Sequence, residues 1–126
     1  MANDNTAAKT IVAGMISPQV AAVMADAEQS TEFGAYLGKL ALDYVFGQLW
    51  TRPGLDRRTR SLITLGILIA LRATEELAVH IPAAMRNGVT KEEIEEVIYH
   101  SSAYAGFPAA SSARALAAKL LSNDPS

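Results

Sequence analysis

Apolar side chains recur at helical spacing along most of the chain. Between positions 32 and 50 they return every three or four residues, and the same spacing continues from 57 to 72. This period places them along one face of an α-helix. No alternating run of apolar and polar residues stands between turn dipeptides, so no strand is predicted. The pattern predicts an all-α fold of about six helices with short connections.

Capping residues set the limits of these helices. Ser17, followed by a proline, is a typical helix start, and Asp56 and Thr74 are predicted caps of later helices. Thr90 and Glu93 have the spacing of a capping box. The predicted helices span residues 19–29, 32–50, 57–72, 75–86, 91–104 and 109–121.

The length of the chain suits one hydrophobic core, so residues 1–126 are predicted to form a single domain. Residues 1–16 begin polar and are predicted to be a frayed or partner-bound tail. This start has no basic stretch followed by a long apolar core, so it does not resemble a secretion signal. The apolar run 62–71 is shorter than the about 20 residues that a bilayer requires. We therefore expect a cytoplasmic protein that does not enter a membrane.

Composition narrows the possible partners. Half of the residues are hydrophobic and only 19% are charged, which favours apolar faces buried between identical subunits. A net charge of -2 provides no basic footprint, so nucleic acid is not an expected partner. The chain has no cysteine, which excludes disulfides, thiolate metal sites and dithiol redox chemistry.

Glu76 and His80 form the first candidate for chemistry. They are four residues apart on a predicted helix and therefore share a face. A carboxylate beside an imidazole raises the imidazole pKa and fixes its tautomer, which suits a general acid. The alternative is a solvated surface pair, and spacing alone leaves it open. Apolar neighbours on both sides of His80 favour partial burial and hence the catalytic interpretation.

Four arginines form a cluster where one predicted helix gives way to the next. They are Arg52, Arg57, Arg58 and Arg60. The planar guanidinium group suits a carboxylate, so the cluster is a candidate site for an acidic substrate. The alternative is a solvated helix start in which Asp56 is the partner of the arginines.

His100 and Tyr104 lie late in the predicted helix 91–104. A partly buried histidine bonded to a backbone carbonyl, or a core tyrosine with one bonded hydroxyl, would explain them without any function. Two histidines without a cysteine, and outside an HxxxH or HExxH pattern, do not predict a metal site.

Two segments resemble the carboxymuconolactone decarboxylase family. Their sequences are FGQLWTRPGLDRRTRSLITLGILIAL and EELAVHIPAAMRNGVTKEEIEEVIYHSSAYAGFPAA, and the likeness extends over about residues 33–120. Related peroxidases carry a CxxC motif with a histidine four residues after the second cysteine. Ala73 and Glu76 stand at the cysteine positions and His80 at that of the histidine. Peroxidase chemistry is therefore not expected.

The resemblance implies an alkylhydroperoxidase-like all-α fold, assembled as a homo-oligomer, commonly a trimer or hexamer, with active sites near subunit contacts. It implies decarboxylation of a carboxylated γ-lactone in the protocatechuate branch of aromatic catabolism. No cofactor is expected, because the lactone carbonyl accepts the electrons that the departing carbon dioxide leaves. His80, poised by Glu76, would deliver a proton to carbon. The arginines would hold the retained carboxylate, His100 would orient the substrate or stabilise the oxyanion, and Tyr104 would bind the substrate.

The sequence departs from the family pattern at two places. Pro82 replaces an expected basic residue, and Ser111 and Ser112 replace an asparagine and a further polar residue. Two alternatives therefore stay open: a biosynthetic enzyme that isomerises, cyclises or decarboxylates another substrate, and a non-catalytic oligomeric binding protein. A pocket holding both His80 and an arginine would favour the lactone acid. An entirely apolar pocket would favour a neutral substrate, and an exposed His80 without a cavity would favour the binding protein.

Overall fold

The computed structural model describes residues 5–122, and within that range the chain forms helices, turns and loops without a strand. The all-α prediction is confirmed, although the helices number seven in the described chain instead of about six. They are α1 (Thr6–Met15), α2 (Pro18–Asp26), α3 (Tyr36–Leu40), α4 (Arg57–Leu71), α5 (Thr74–Arg86), α6 (Lys91–Ala105) and α7 (Phe107–Leu121). A π-helical segment, Ala41–Leu49, continues α3. None of the described helices is long and apolar enough to cross a membrane.

Helix α1 replaces most of the tail predicted for residues 1–16. Its buried side chains follow helical spacing, which gives it an apolar face for packing. They are Ala8, Ile11, Val12 and Met15. Residues 1–4 of the predicted tail lie outside the described range. Burial of this face, rather than fraying, explains the structure of the segment.

The helix predicted over 32–50 is shorter and wider than expected. Gly34 takes a left-handed φ of +71°, and α3 begins only after this turn. The chain then widens into the π-helical segment. There a Cβ at Gly47 would lie 3.0 Å from the Leu42 carbonyl oxygen, so the close backbone approach requires glycine.

The chain divides into two compact units, Met1–Leu55 and Asp56–Ser126. The single domain proposed from length stays a prediction. In the first unit, α1 packs against α2 and the π-helical segment. Asp43 accepts hydrogen bonds from Lys39 and from the Asn5 side-chain amide, and these bonds lower the pKa of the Asp43 carboxyl. The polar cluster thereby ties the start of α1 to the π-helical segment.

In the second unit, α4 packs against α5, α6 and α7, and α7 also packs against α5 and α6. Leucine and isoleucine fill the space between α4, α5 and α6, while α7 contributes alanines that allow close approach. The buried cluster consists of Leu65, Ile69, Leu77, Ile81, Ala84, Val89, Ile94, Ile98, Ala109, Ala110, Ala113 and Ala117. Each large aliphatic side chain buried here contributes about 1.5–3 kcal/mol of transfer free energy.

Two predicted caps of this unit are confirmed. The Asp56 carboxylate accepts a hydrogen bond from the Thr59 backbone N–H at 2.8 Å and starts α4. At the start of α6, the Thr90 hydroxyl accepts from the Glu93 N–H at 3.1 Å, and the Glu93 carboxylate accepts from the Thr90 N–H at 2.9 Å. Such reciprocal bonds satisfy amide groups that the helix itself leaves free.

Two boundaries differ from their predictions. Thr74 is the first residue of α5 rather than its cap, and Ala73 at the cap position provides no side-chain bond. The turn after α5 ends at Gly88, which takes a left-handed φ of +94°. Helix α7 starts at residue 107, two residues before the predicted start, because Gly106 has already turned the chain with a φ of +97°. Helix α5 continues through Pro82 without a break.

Candidate active site

Helix α5 places Glu76 and His80 one turn apart. His80 is half-buried, whereas Glu76 is exposed. Burial lowers the pKa of His80 from its usual value near 6.5, and the negative charge of Glu76 offsets only part of this effect. The expected net increase in pKa is therefore wrong. Within the described chain the two side chains interact through charge and share no hydrogen bond. His80 is mainly a neutral imidazole at pH 7.

The predicted arginine cluster is divided between the two units. Arg52 belongs to the first unit, in the turn after the π-helical segment. Arg57 and Arg60 lie in the first turn of α4, exposed and half-buried respectively. Arg58 forms an ion pair with Glu93 of α6. The alternative interpretation of the cluster named Asp56 as the partner, whereas the ion pair of Arg58 is with Glu93. Arg58 also acts on Asp56 through charge: the pKa of the Asp56 carboxyl is lowered mainly by hydrogen bonds from Thr59 and further by Arg58.

A groove of about 580 Å³ opens between α4 and α6. This volume lies within the range of small-molecule sites. Helix α4 contributes apolar side chains and a glycine, and α6 contributes most of the polar groups. The lining residues are Leu62, Ile63, Gly66, Ile67, Glu93, Glu96, Val97, His100 and Ser101. Of the predicted site residues, the lining includes His100 but neither His80, Glu76 nor an arginine. We call this feature the α4/α6 groove.

His100 and Tyr104 were predicted to lie late in the same helix, and on α6 their side chains contact each other. Their ring centroids are 5.2 Å apart and their planes are inclined by 33°. Both side chains are exposed, and Tyr104 retains 83% of its accessible surface. Tilted ring packing of this kind stabilises an aromatic pair. The contact holds the His100 imidazole at the α4/α6 groove.

Sequence reasoning missed several residues of this groove. Ser101 is only 8% exposed, and its hydroxyl makes no hydrogen bond to the described residues. Glu96 precedes His100 by four residues, the same spacing as Glu76 before His80. A search for this carboxylate–imidazole spacing along the whole chain would have found Glu96. No comparable sequence signal distinguishes Ser101 from other helical serines.

Arg72 is a further cation that the sequence analysis did not select. It ends α4 in a left-handed conformation with φ 55°, directly before the residue that caps α5. Its guanidinium group donates to the Ser112 hydroxyl of α7 at 3.4 Å. One departure from the family pattern, Ser112, thus has a structural role at the junction of α4, α5 and α7.

A second groove of about 530 Å³ lies between α6 and α7 and carries charges of both signs, including those of Glu95 and Arg114. It contains none of the predicted site residues. Among residues 5–122, no group of three or more histidine, aspartate or glutamate side chains is arranged to hold a metal ion.

Comparison with known proteins identifies one matching family and several similar proteins. Residues 35–119 match the Carboxymuconolactone decarboxylase family. The chain is 49% identical over 74 residues to 4-carboxymuconolactone decarboxylase of Acinetobacter baylyi, covering 59% of this chain and 55% of that protein. It is 46% identical over 70 residues to nitrosuccinic acid decarboxylase of Metarhizium robertsii, covering 56% and 49%. An uncharacterized 15.0 kDa protein of Paracoccus denitrificans is 39% identical over 70 residues, covering 54% and 52%.

The chain spans about half the length of the curated relatives that it matches. The region matched by the family includes all of α4, α5 and α6, and therefore both the Glu76–His80 pair and the α4/α6 groove. Well over half of the chain falls within this match. The chain belongs to the carboxymuconolactone decarboxylase family.

Proposed function

We propose that the protein is a carboxy-lyase acting on a small dicarboxylic acid that contains its own electron-accepting group. The main support is family membership together with two similar proteins that are named as decarboxylases. Their named substrates differ in structure, one being a lactone and the other a nitro acid. The chemistry that the two acids share defines the proposed substrate class.

In 4-carboxymuconolactone, the departing carboxylate is attached to the ring carbon beside the ring oxygen. When its bond to that carbon breaks, the electron pair moves through the ring double bond onto the lactone carbonyl oxygen. In nitrosuccinic acid, the departing carboxylate and the nitro group share one carbon, and the pair moves onto a nitro oxygen. Carbon then takes a proton, and a second carboxylate remains. Because each acid contains the group that accepts the electron pair, the proposed reaction requires no cofactor.

His80 is proposed to deliver that proton. The free protein holds His80 mainly neutral, because burial lowers the pKa of this imidazole. A bound dianion beside it would favour the imidazolium form, since an opposite charge stabilises the protonated state. Glu76 acts on His80 through its charge and is proposed as the positioning residue that keeps enough imidazolium available. This arrangement would supply the proton only when an acidic substrate is present.

The retained carboxylate requires a cation. Arg57 and Arg60, on α4, are proposed to hold it, and Arg72 beside the start of α5 is a further candidate. The same role for Arg52 of the first unit stays a prediction. Arg58 was predicted in the same role, but its charge is compensated by Glu93. Arg58 could bind the substrate carboxylate only by leaving Glu93, and the Glu93 carboxylate would then lose its ion pair.

His100 and Tyr104, on α6, are proposed to bind substrate under a second candidate function, in which the substrate is less acidic. The α4/α6 groove that His100 lines has no arginine among its lining residues. This observation favours the second candidate function, in which the protein isomerises, cyclises or decarboxylates a less acidic molecule in a biosynthetic pathway. The non-catalytic binding protein is the third candidate, because His80 does not line the α4/α6 groove.

Within the proposed class, 4-carboxymuconolactone is the first candidate substrate and the enol-lactone of β-ketoadipate its product, in cytoplasmic protocatechuate catabolism. A homo-oligomer, a trimer or hexamer, is also proposed. Large apolar side chains on both units support this assembly because they are exposed in the single chain. They include Phe33, Tyr36, Leu37, Leu71 and Phe107. Sedimentation should then give a mass three or six times the 13.4 kDa of one chain.

The decisive experiment measures carbon dioxide released from 4-carboxymuconolactone, from nitrosuccinate and from succinate. Succinate is the matched control, since it is a dicarboxylate without an electron-accepting group. The proposal predicts release from at least one of the first two acids and none from succinate. A folded protein, verified by circular dichroism, that releases none from either acid would overturn the proposed function. Release from succinate would contradict the electron-sink argument.

A further inference from the structure

One hydroxyl group of the α4/α6 groove has no hydrogen-bond partner within the described chain. Ser101 lines the groove and is only 8% exposed, while its hydroxyl has no hydrogen-bond partner among the described residues. The hydroxyl oxygen is not sealed from solvent and is accessible from the groove, so a molecule that displaces water there must replace the hydrogen bond that water provides. An acceptor atom of a molecule in the groove would provide the partner that the chain does not.

Gly66 provides a second, independent observation. It lies inside α4, where glycine costs about 1 kcal/mol relative to alanine. A Cβ added at this position would meet no atom within 4 Å, so packing within the chain does not require glycine. Gly66 lines the α4/α6 groove instead. Its missing side chain keeps open a space that an occupant can use at close range.

The charges around the groove indicate which occupant fits. Glu93 and Glu96 contribute carboxylates to the lining, and Glu93 forms an ion pair with Arg58 of α4. No lysine or arginine lines the groove. An anionic molecule would meet net negative charge, whereas an uncharged one would not. The remaining walls, Leu62, Ile67 and Val97 among them, are apolar.

We propose that the α4/α6 groove is a binding site for a small, uncharged, mostly apolar compound that carries a carbonyl oxygen. The Ser101 hydroxyl donates a hydrogen bond to this oxygen, and the apolar part of the compound lies against Gly66 between the apolar walls. His100, held by Tyr104, contacts the same molecule at the open side. This site is separate from the Glu76–His80 pair and does not depend on the proposed decarboxylation.

The test uses butenolide, an uncharged unsaturated lactone, and its ring-carboxylate derivative as the charged control. Each is titrated to millimolar concentration into ¹⁵N-labelled full chain, and amide signals are followed by NMR. Butenolide should shift the signals of Gly66 and Ser101, and its affinity should exceed that of the carboxylate at least about tenfold. His80→Gln should leave this binding unchanged, which separates the result from the fate of the decarboxylase proposal.

Two substitutions and one matched control locate the site. Gly66→Val fills the groove and should weaken butenolide binding at least about tenfold, whereas Ser101→Ala should weaken it about threefold to tenfold through loss of one hydrogen bond. Gly14→Val is the control, because Gly14 is also a helical glycine with no atom within 4 Å of an added Cβ. It should bind butenolide like the wild type.

Three outcomes would overturn the proposal. The first is an absence of shifts at Gly66 and Ser101 in the presence of butenolide. The second is equal or tighter binding of the carboxylate derivative. The third is loss of oligomer mass in Gly66→Val without loss of butenolide binding, which would identify the groove as a contact with a second copy of the chain. Ser101→Ala leaves the groove volume open, so it keeps the test valid if Gly66→Val fails to fold.

Discussion

Two carboxylate–imidazole pairs of the second unit have identical spacing and different surroundings. On α5, Glu76 precedes His80 by four residues, and on α6, Glu96 precedes His100 by four. His80 is half-buried, and this burial lowers its pKa. His100 is exposed, packs against Tyr104 and lines the α4/α6 groove. Spacing establishes only that two side chains share a helix face; the surroundings of that face determine their chemistry.

The difference assigns separate tasks to the two helices. A partly dehydrated imidazole with a nearby carboxylate can change protonation when a charged ligand binds, so the α5 pair suits proton transfer. An imidazole at the edge of an apolar groove can contact a molecule bound in that groove, so the α6 pair suits ligand binding. Substitutions in the second unit and in the π-helical segment, taken in order of decreasing expected effect, test this division.

His80→Gln should reduce the turnover of the decarboxylated acid by about 10²- to 10⁴-fold, because glutamine cannot donate a proton as imidazolium does. Glu75→Gln is the matched control on the same helix and should remain within about threefold of the wild type. Steady-state carbon dioxide release measures both variants. Retained turnover in His80→Gln would remove α5 from the mechanism.

The pH dependence should identify Glu76 as the positioning residue. A proton donor must be protonated, so kcat/KM should decrease as the pH rises through the pKa of His80, which lies below 6.5 in the free protein. Glu76→Gln removes a charge that raises this pKa and should move the decline to lower pH. Glu75→Gln should leave the profile in place. A profile that Glu76→Gln does not move would restrict Glu76 to a structural role.

Two buried serines separate structural hydroxyl groups from available ones. The Ser61 hydroxyl accepts a hydrogen bond from the Asn87 side-chain amide at 3.0 Å, whereas the Ser101 hydroxyl has no such partner in the described chain. Ser61→Ala should lower the free energy of unfolding by about 1–2 kcal/mol, since it leaves the Asn87 side-chain amide without this hydrogen-bond acceptor. Ser101→Ala should change it by less than about 0.5 kcal/mol. Urea unfolding that gave equal losses would contradict the assignment of Ser101 to a ligand.

Two glycines should respond to alanine with opposite signs. Gly66→Ala should raise the free energy of unfolding by about 0.5–1 kcal/mol, because its Cβ meets open space within a helix. Gly47→Ala should lower it, because the added Cβ would lie 3.0 Å from the Leu42 carbonyl oxygen. Thermal unfolding measures both. A destabilising Gly66→Ala would indicate that the fold itself requires this glycine.

Local signals predicted much of the fold. Asp56 and the Thr90–Glu93 box defined the starts of α4 and α6, since a cap requires only residues within one turn of the helix. Helix α1 was missed because its stability comes from burial of its apolar face, which the polar start of the sequence obscures. The π-helical segment was missed for a similar reason, because its widened turns depend on packing rather than on a distinct periodicity.

The candidate site was predicted less completely, because its properties arise between helices. The sequence placed Glu76 beside His80, but burial reversed the expected direction of the His80 pKa. It grouped Arg58 with other arginines, whereas folding brings Glu93 of a distant helix to it. The α4/α6 groove exists only once two helices pack. Of its residues, His100 was selected from the sequence, and Glu96 had a signal through its spacing from His100.

One NMR titration of the two imidazole rings tests most directly whether the Glu76–His80 pair and the α4/α6 groove bind different ligands. The chain has only two histidines, so ¹⁵N-labelled imidazole signals can be assigned with a single His80→Gln variant. Succinate, an unreactive dicarboxylate, should shift the His80 signals, and butenolide should shift those of His100. A response of the same histidine to both ligands would contradict the account, because a single site would then serve the acid and the uncharged ring.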